Sequence, residues 1–344
     1  MKKILLYIVL LSVTLTVYGW TGKGFELIHD EASRKVDVFY NGQLFTSYLY
    51  PEDMEKPVLY PIYNSNGTEL TRGFPINSRP GERIDHPHHV GLWFNFGDVN
   101  GLDFWNNSYA IPEEKKPGYG SILHTGIDEM TDGELGLLTV HANWNNQAGK
   151  TLLKARSTYL FSAGEHIRMI EHTITLTAQD EAVRFGDSKE GLLGIRLDRA
   201  FEEVSDVPEL RIDAQKKPMD TRTVNNEGVN GTYRNSRGKV GEKDTWGNEA
   251  EWAMVSAVKD GDKTSIAILD YTGNPGFPAH WHTRGYGLFS VNNMGSKHFK
   301  ADEPEFSLTL APGESVTFKH KVMIKAGSFA SDEEVKAAFE AFNQ

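Results

Sequence analysis

Residues 167–177 read IRMIEHTITLT, a stretch in which the side chains alternate between two sets. Ile170, His172, Ile174 and Leu176 form one set, and the residues between them are mostly polar. Successive side chains of a β-strand point to opposite faces, so this alternation predicts a strand in a sheet whose two faces are covered differently.

Further segments along the chain also have the composition of strands. They are residues 36–40, 43–45, 135–144, 152–161, 252–258, 264–270, 306–311 and 316–325. The first two are separated only by Asn41-Gly42, and this dipeptide accepts the positive φ angles of a type I′ turn. A hairpin is therefore predicted near the start of the chain.

One helix is predicted, at the C-terminus. Ser331 and Glu334 have the spacing of a capping box, and Val335, Phe339 and Phe342 recur at helical spacing. The many strands and the short helix predict an all-β fold, a large antiparallel β-sandwich with a short C-terminal helix. The polar stretch 225–248 is predicted to be a long surface loop.

The amino-acid composition excludes several classes of function. The chain has 344 residues, of which 39% are hydrophobic and 24% charged, as in a globular protein. Its formal net charge of -11 argues against nucleic acid as a partner, because phosphate binding needs a basic face. The sequence contains no cysteine, which excludes disulfides, thiolate nucleophiles and cysteine-based metal sites.

The first 19 residues have the pattern of a secretory signal peptide. Lys2 and Lys3 precede an apolar run over residues 4–17, which is short for a membrane span. An uncleaved N-terminal anchor is the alternative. We expect a periplasmic or secreted protein, with no membrane association after signal removal, whose residues 20–344 form a single domain.

The segment RIDHPHHVGLWF, residues 83–94, holds three of the 12 histidines. Histidine titrates near neutrality, so such a cluster indicates proton transfer or metal ligation. Pro87 disfavours helical geometry for His86. If the segment is extended, His86 and His88 point to one face, and Asp85 and His89 point to the other.

A second block, FPAHWHTR at residues 277–284, repeats this theme with His280 and His282 around Trp281 and beside Arg284. Two such blocks can converge in a β-sandwich and complete one site. The structural alternative is that Trp281 belongs to the core and that the histidines flank it by chance.

Two further groups complete the candidate site. Glu190 precedes a predicted strand and is a candidate general base or metal ligand. Asp98 and Asn100 lie in a polar turn without EF-hand spacing, and we expect them to form a rim. Trp93 and Trp105 are candidates for stacking on a sugar ring, although large aromatic residues are mostly buried.

The predicted catalytic residues are His86, His88, Glu190 and His282, and the same four are the predicted ligands of one divalent metal ion. The predicted substrate-binding residues are Arg83, Trp93, Asp98, Asn100, Trp105, His280, Trp281 and Arg284.

These blocks, together with residues 71–75, 97–101, 103–105, 189–191 and 286–289, resemble a bacterial domain family that carries the names PmoA and methane oxygenase. Gly285 departs from the family pattern, in which an acidic residue is expected. A methane oxygenase subunit has many spanning helices, so that name does not suit this chain. The resemblance instead implies a galactose-mutarotase-like supersandwich and a carbohydrate substrate.

Three functions are consistent with these residues. The first is a carbohydrate-active enzyme, a lyase or hydrolase acting on an oligosaccharide or glycoside. Histidines with a metal and an arginine suit elimination better than hydrolysis, which needs two facing carboxylates. The second is a mutarotase or epimerase that uses one His and one Glu. The third is a non-catalytic carbohydrate-binding protein.

Overall fold

The computed structural model describes residues 23–344. The predicted signal peptide at residues 1–19 lies outside the described residues. The predicted single domain over residues 20–344 stays a prediction.

Two antiparallel sheets of eight strands each make up most of the structure. The strands are numbered in chain order. In spatial order the first sheet contains β1 (Phe25–Asp30), β2 (Lys35–Tyr40), β3 (Gln43–Leu49), β4 (Val58–Ile62), β5 (Leu92–Phe96), β11 (Gly191–Arg196), β16 (Leu288–Asn292) and β15 (His280–Arg284). The second contains β12 (Thr232–Asn235), β13 (Trp252–Lys259), β14 (Asp262–Asp270), β18 (Ser315–Lys325), β9 (Ile167–Ala178), β8 (Thr151–Ala163), β7 (Gly136–Asn146) and β6 (Gly120–Thr131).

The remaining elements are short. They are a two-stranded ribbon of β10 (Val183–Phe185) and β17 (Leu308–Leu310), 3₁₀ turns at Glu113–Gly118 and Arg199–Phe201, and the helices α1 (Glu242–Thr245), α2 (Ser296–Phe299) and α3 (Asp332–Phe342). None of the helices in the described part of the chain has the length and apolar character needed to cross a membrane.

The predicted all-β fold and C-terminal helix are confirmed. Both bonds of the capping box between Ser331 and Glu334 are present at the start of α3. Asn41 and Gly42 have φ angles of 50° and 76°, and they join β2 to β3 in a hairpin. The prediction of a long surface loop over residues 225–248 was wrong for part of this stretch, because β12 extends the edge of the second sheet there and α1 follows it.

The core lies between the sheets. In β9 every second residue is buried, as the alternation predicted, and Ile170 and Ile174 belong to the main hydrophobic cluster. Phe94 of the first sheet lies 5.9 Å from Phe318 of the second, measured between ring centroids. The apolar faces of the two sheets thus cover each other and are shielded from water.

The opposite, outer face of the first sheet positions the candidate site. Trp281 and Phe289 point into the core from β15 and β16. Because side chains alternate along a strand, His282 and Arg284 lie on the outer face. Arg196 likewise alternates with the core residue Ile195 at the end of β11.

The core also contains two buried histidines, which make stability sensitive to acid. His172 stacks on Tyr159 with ring centroids 4.6 Å apart, and neither of its ring nitrogens has a hydrogen-bond partner within residues 23–344. It is paired with His320 across β9 and β18. Burial lowers the pKa of His172 to about 3, so the folded state keeps this imidazole neutral.

We predict that His172→Phe reduces the acid sensitivity of the protein. The unfolded chain takes up a proton on this histidine below about pH 6.5, whereas the folded chain does so only near pH 3. Its contribution to stability is therefore complete above pH 6.5 and is lost as the pH falls. Between pH 7 and pH 5 the loss amounts to about 2 kcal/mol.

Urea unfolding at both pH values measures this difference. His166→Phe, at an exposed histidine just before β9, is the matched control and should leave the acid dependence unchanged. An equal pH dependence in wild type and His172→Phe would contradict the prediction.

Candidate functional site

The first histidine block forms a tight turn. His86 has a φ of +43°, and the His89 amide donates to the His86 carbonyl at 3.0 Å. The prediction of an extended segment with His86 and His88 on one face was therefore wrong. The reason is tertiary, because Arg72 donates to the carbonyls of Asp85, His86 and His89 at 2.9, 2.9 and 3.0 Å.

A carboxylate between two buried arginines holds this turn. The Oδ1 atom of Asp85 accepts from Arg72 at 2.6 Å and from Arg196 at 2.7 Å. We call these three residues the arginine clamp. Burial opposes ionisation of Asp85, but the two guanidinium groups outweigh it and hold its pKa well below the usual range.

Aromatic rings are layered on the clamp. The rings of Trp93 and His89 stack at 5.3 Å, those of His89 and His86 at 4.8 Å, and those of His86 and Tyr286 at 5.0 Å, each pair within 20° of parallel. The Arg196 guanidinium lies 4.7 Å from the Tyr286 ring centroid. His89 is buried in this stack, whereas His86, at its outer end, is covered by its neighbours on one side and keeps contact with solvent.

The protonation states of the two outer rings are complementary. Burial, assisted by Arg196 and Arg72 and opposed by Asp85, lowers the pKa of His86 to about 4. Burial raises the pKa of Tyr286 to about 12. At neutral pH His86 is therefore a neutral proton acceptor, and the neighbouring Tyr286 hydroxyl is a proton donor.

The second histidine block meets the first on this outer face. Burial, assisted by the charges of Lys189 and Arg284 and by His86, lowers the pKa of His282 to about 3. The Nδ1 atom of His282 lies 3.1 Å from the Lys189 carbonyl and 3.8 Å from a Glu190 carboxylate oxygen. The structure thus brings His86, His282, Arg284 and Glu190 to one face of the sheet.

An open cleft of about 470 Å³ adjoins this group. Its charged and aromatic lining comprises Arg83, Asp85, His86, Glu203, Glu209, Arg222, Glu242, Arg284 and Tyr286. Arg284 Nε pairs with Glu242 at 3.0 Å, and Glu242 also accepts from the Gly285 amide at 2.8 Å. Three arginines face four carboxylates, so the cleft offers donors and acceptors in nearly balanced numbers.

Arg83 takes part mainly in buried ion pairs. Its guanidinium donates to Glu202 at 2.8 Å and lies 3.5 Å from Glu209. Only 5% of the residue is exposed, although it forms part of the lining of the cleft. These contacts fix the wall beside His86.

The predicted aromatic platform lies inside the protein. Trp93, Trp105 and Trp281 are at most 2% exposed. Trp281 belongs to the core between the sheets, whereas Trp93 and Trp105 pack beneath His89 on the outer face. None of these three rings offers a free face to a sugar.

The predicted polar rim is a structural turn. Asp98 accepts from the Gly101 amide at 2.9 Å, and the Asn100 side chain bonds to the backbone of Ala182 and Arg184 at 3.1 and 2.8 Å. These bonds tie the end of β5 to β10. Neither residue contributes to the lining of the cleft next to His86.

The predicted metal ligands do not form one group. Within residues 23–344, possible ligand atoms approach one another in two groups, one of His86, His88 and His89 and another of Glu249, His280 and Glu303. Glu190 and His282 belong to neither. His88 faces a separate cavity of about 60 Å³, which Lys56 also lines.

The sequence analysis did not predict four residues of the site, which are Arg72, Arg196, Glu242 and Tyr286. Arg72 and Tyr286 both lie in segments that carried the family resemblance, and this was the one indication of their importance. Arg196 and Glu242 are not part of any sequence motif that indicated a function, and only their contacts in the structure show that they belong to the site.

The chain matches a known protein family over most of its length. A model described as a family of unknown function, DUF6807, matches residues 35–340. The chain belongs to this family. The description of this family does not include the name PmoA, so the resemblance to the PmoA family stays a prediction. None of the curated proteins compared with the chain matches it.

Solved structures similar to this member of the DUF6807 family include a galactose mutarotase-like protein from Clostridium acetobutylicum, at 10% identity and a TM-score of 0.40, over 88% of this chain and 98% of the other. A galactose mutarotase-like protein from Lactobacillus casei has 10% identity and a TM-score of 0.32, over 88% and 100%. The α-galactosidase from Lactobacillus brevis has 8% identity and a TM-score of 0.34, and 88% of this chain covers 40% of that protein.

We predict that Asp85→Asn destabilises the protein by about 3–5 kcal/mol, because it removes the charge that compensates two buried arginines. Urea unfolding at pH 7 measures the change. Glu52→Gln is the matched control, since it breaks an exposed pair with Arg34 and should cost at most about 1 kcal/mol. A loss at Asp85 no larger than that of the control would show that the clamp is not needed for folding.

Proposed function

We propose that this protein is a carbohydrate-active enzyme, a lyase or hydrolase, that acts on an oligosaccharide or glycoside at the outer face of the first sheet. The observation that carries the proposal is the meeting of two distant histidine blocks beside one cleft. His86 comes from the first block and Arg284 comes from the second; both line the cleft, and they lie 5.0 and 5.5 Å from the Tyr286 ring centroid.

The lining of the cleft supports a neutral, polyhydroxylated ligand. Its volume of about 470 Å³ falls within the range of about 300–1,000 Å³ usual for small-molecule sites. Both arginines and carboxylates line it, so a hydroxyl group can both donate and accept. An ionic ligand would instead need a clear excess of one charge.

The chemistry that these residues support best is proton abstraction followed by elimination. Neutral His86 is placed to accept a proton from a carbon beside a carbonyl group. The electron pair moves towards the carbonyl oxygen, whose developing charge Arg284 can stabilise. When the electron pair returns and the carbonyl group re-forms, a carbon–carbon double bond forms beside it and the bond to the glycosidic oxygen breaks. This oxygen takes a proton from the Tyr286 hydroxyl.

Hydrolysis has less support from the carboxylates. It needs one carboxyl group as an acid and another as a base or nucleophile. Asp85 is bound by Arg72 and Arg196, and Glu242 is bound by Arg284 and a backbone amide. Glu203 accepts from the Glu242 amide at 2.9 Å, and Glu209 pairs with Arg222 at 3.2 Å. All four carboxylates of the lining are thus engaged, which favours a lyase over a hydrolase.

A mutarotase or epimerase is the second candidate. The observation that favours it is the 3.8 Å approach of Glu190 to His282, a carboxylate and a neutral imidazole that can exchange protons with a sugar. Such an enzyme would leave the length of the sugar chain unchanged.

The divalent metal predicted from the sequence has one possible place beside the cleft, the group of His86, His88 and His89. Burial lowers the pKa of all three, so each imidazole is neutral, as metal binding requires. However, Arg196 lies 3.2 Å from His89, and the Lys56 charge also acts on His88. A further cation there would be repelled, so the proposed mechanism does not use one.

We predict that His86→Gln and Tyr286→Phe each lower kcat/KM by about 100-fold or more, because each removes a proton-transfer group. A panel of neutral glycosides and 3-keto glycosides, analysed by mass spectrometry, provides the assay. Unsaturated products indicate elimination, a mass increase of one water indicates hydrolysis, and new anomers or epimers seen by NMR indicate isomerisation.

Glu305→Gln is the control, because Glu305 forms exposed pairs with Arg184 and Lys297 on a different surface. Sugar binding without turnover in the wild type, retained in both variants, would support a non-catalytic binding protein. Full activity in folded His86→Gln would show that another residue is the base.

We further predict that kcat/KM is constant between pH 6 and 8 and falls at acidic pH with an apparent pKa near that of His86, about 4. The sign follows from the role of His86, since a base acts only in its neutral form. A decline that begins near pH 6.5 would show that the base is a histidine of ordinary pKa. Initial rates in buffers of constant ionic strength, with folding checked by circular dichroism, provide the measurement.

A further inference from the structure

We propose that Glu249, His280 and Glu303 bind a divalent metal ion at the edge of the first sheet. The site is distinct from the cleft and from the three-histidine group. Glu249 precedes β13, His280 is the first residue of the edge strand β15, and Glu303 follows α2. Glu249 and His280 are also joined by an isolated antiparallel bridge.

The ligand atoms already lie close together. One nitrogen or oxygen atom from each residue lies within 4.8 Å of the other two. The Nε2 atom of His280 is 3.0 Å from a Glu303 oxygen, yet it forms no hydrogen bond of acceptable geometry within residues 23–344. His280 is only 4% exposed, so a buried polar atom without a hydrogen-bond partner points at two carboxylates.

Charge and orientation favour a cation here. Burial lowers the pKa of His280, which leaves its lone pair free. The two carboxylates supply negative charge, which Arg237, 3.8 Å from Glu249, and Lys300, 3.4 Å from Glu303, offset in part. One imidazole and two carboxylates form a donor set that suits Zn²⁺ or Mn²⁺.

The consequence of metal binding would be a fixed wall above His282. The Phe299 ring stacks on His280 at 5.6 Å and meets the edge of His282 at 5.9 Å. Trp246 contacts the same Phe299 ring at 5.4 Å. A metal that ties Glu303 and Glu249 to His280 therefore joins the segments that cover His282, so its role is structural.

The test is calorimetric titration of Zn²⁺ and Mn²⁺ into the chelator-treated protein. We expect one ion per chain at this site, with His280→Gln and Glu303→Gln each weakening binding at least 100-fold. Glu305→Gln, two residues from Glu303, is the matched control and should bind as the wild type does. His88→Gln separates this site from the three-histidine group, and it too should retain binding.

Thermal unfolding gives a second readout that does not depend on activity. Saturating Zn²⁺ or Mn²⁺ should raise the Tm of the wild type and of Glu305→Gln but not that of Glu303→Gln. Glu303 is partly exposed, so its variant should fold even if His280→Gln does not. Absence of binding by the wild type, or binding that Glu303→Gln leaves unchanged, would overturn the proposal, whatever the outcome of the activity assays.

Discussion

The outer face of the first sheet depends on the arginine clamp. Two guanidinium groups at most 2% exposed are tolerable only because Asp85 lies between them, and Asp85 stays ionised only because they flank it. Arg72 also holds three carbonyls of the histidine turn. One ionic interaction therefore fixes the backbone on which His86 is presented.

The layered rings extend this control outward. His89 is fixed between Trp93 and His86, and Tyr286 lies over Arg196 while it stacks on His86. Burial keeps both the His86 imidazole and the Tyr286 phenol uncharged, and the neighbouring arginines reinforce this effect for His86 and oppose it for Tyr286. The same burial that makes the imidazole costly to protonate in acid keeps it ready to accept a proton at neutral pH.

The two candidate cation sites show how charge distinguishes groups of similar composition. The three histidines near the clamp are surrounded by Arg72, Arg196 and Lys56, which oppose a metal. Around His280 the nearest charges are the carboxylates of Glu249 and Glu303. Spacing of histidines in a sequence does not carry this information, because the deciding charges come from elsewhere in the chain.

The sequence by itself determined the fold class, the hairpin at Asn41-Gly42, the alternation of β9 and the capped helix α3, because each depends on interactions between residues that are near neighbours. It also identified the blocks that hold His86 and His282. Only the tertiary structure decided that His86 lies in a turn, that the tryptophans are covered, and that Arg72, Arg196 and Tyr286 belong to the site. Those outcomes rest on contacts between distant segments, and a local pattern of residues cannot encode which distant side chain will supply the compensating charge.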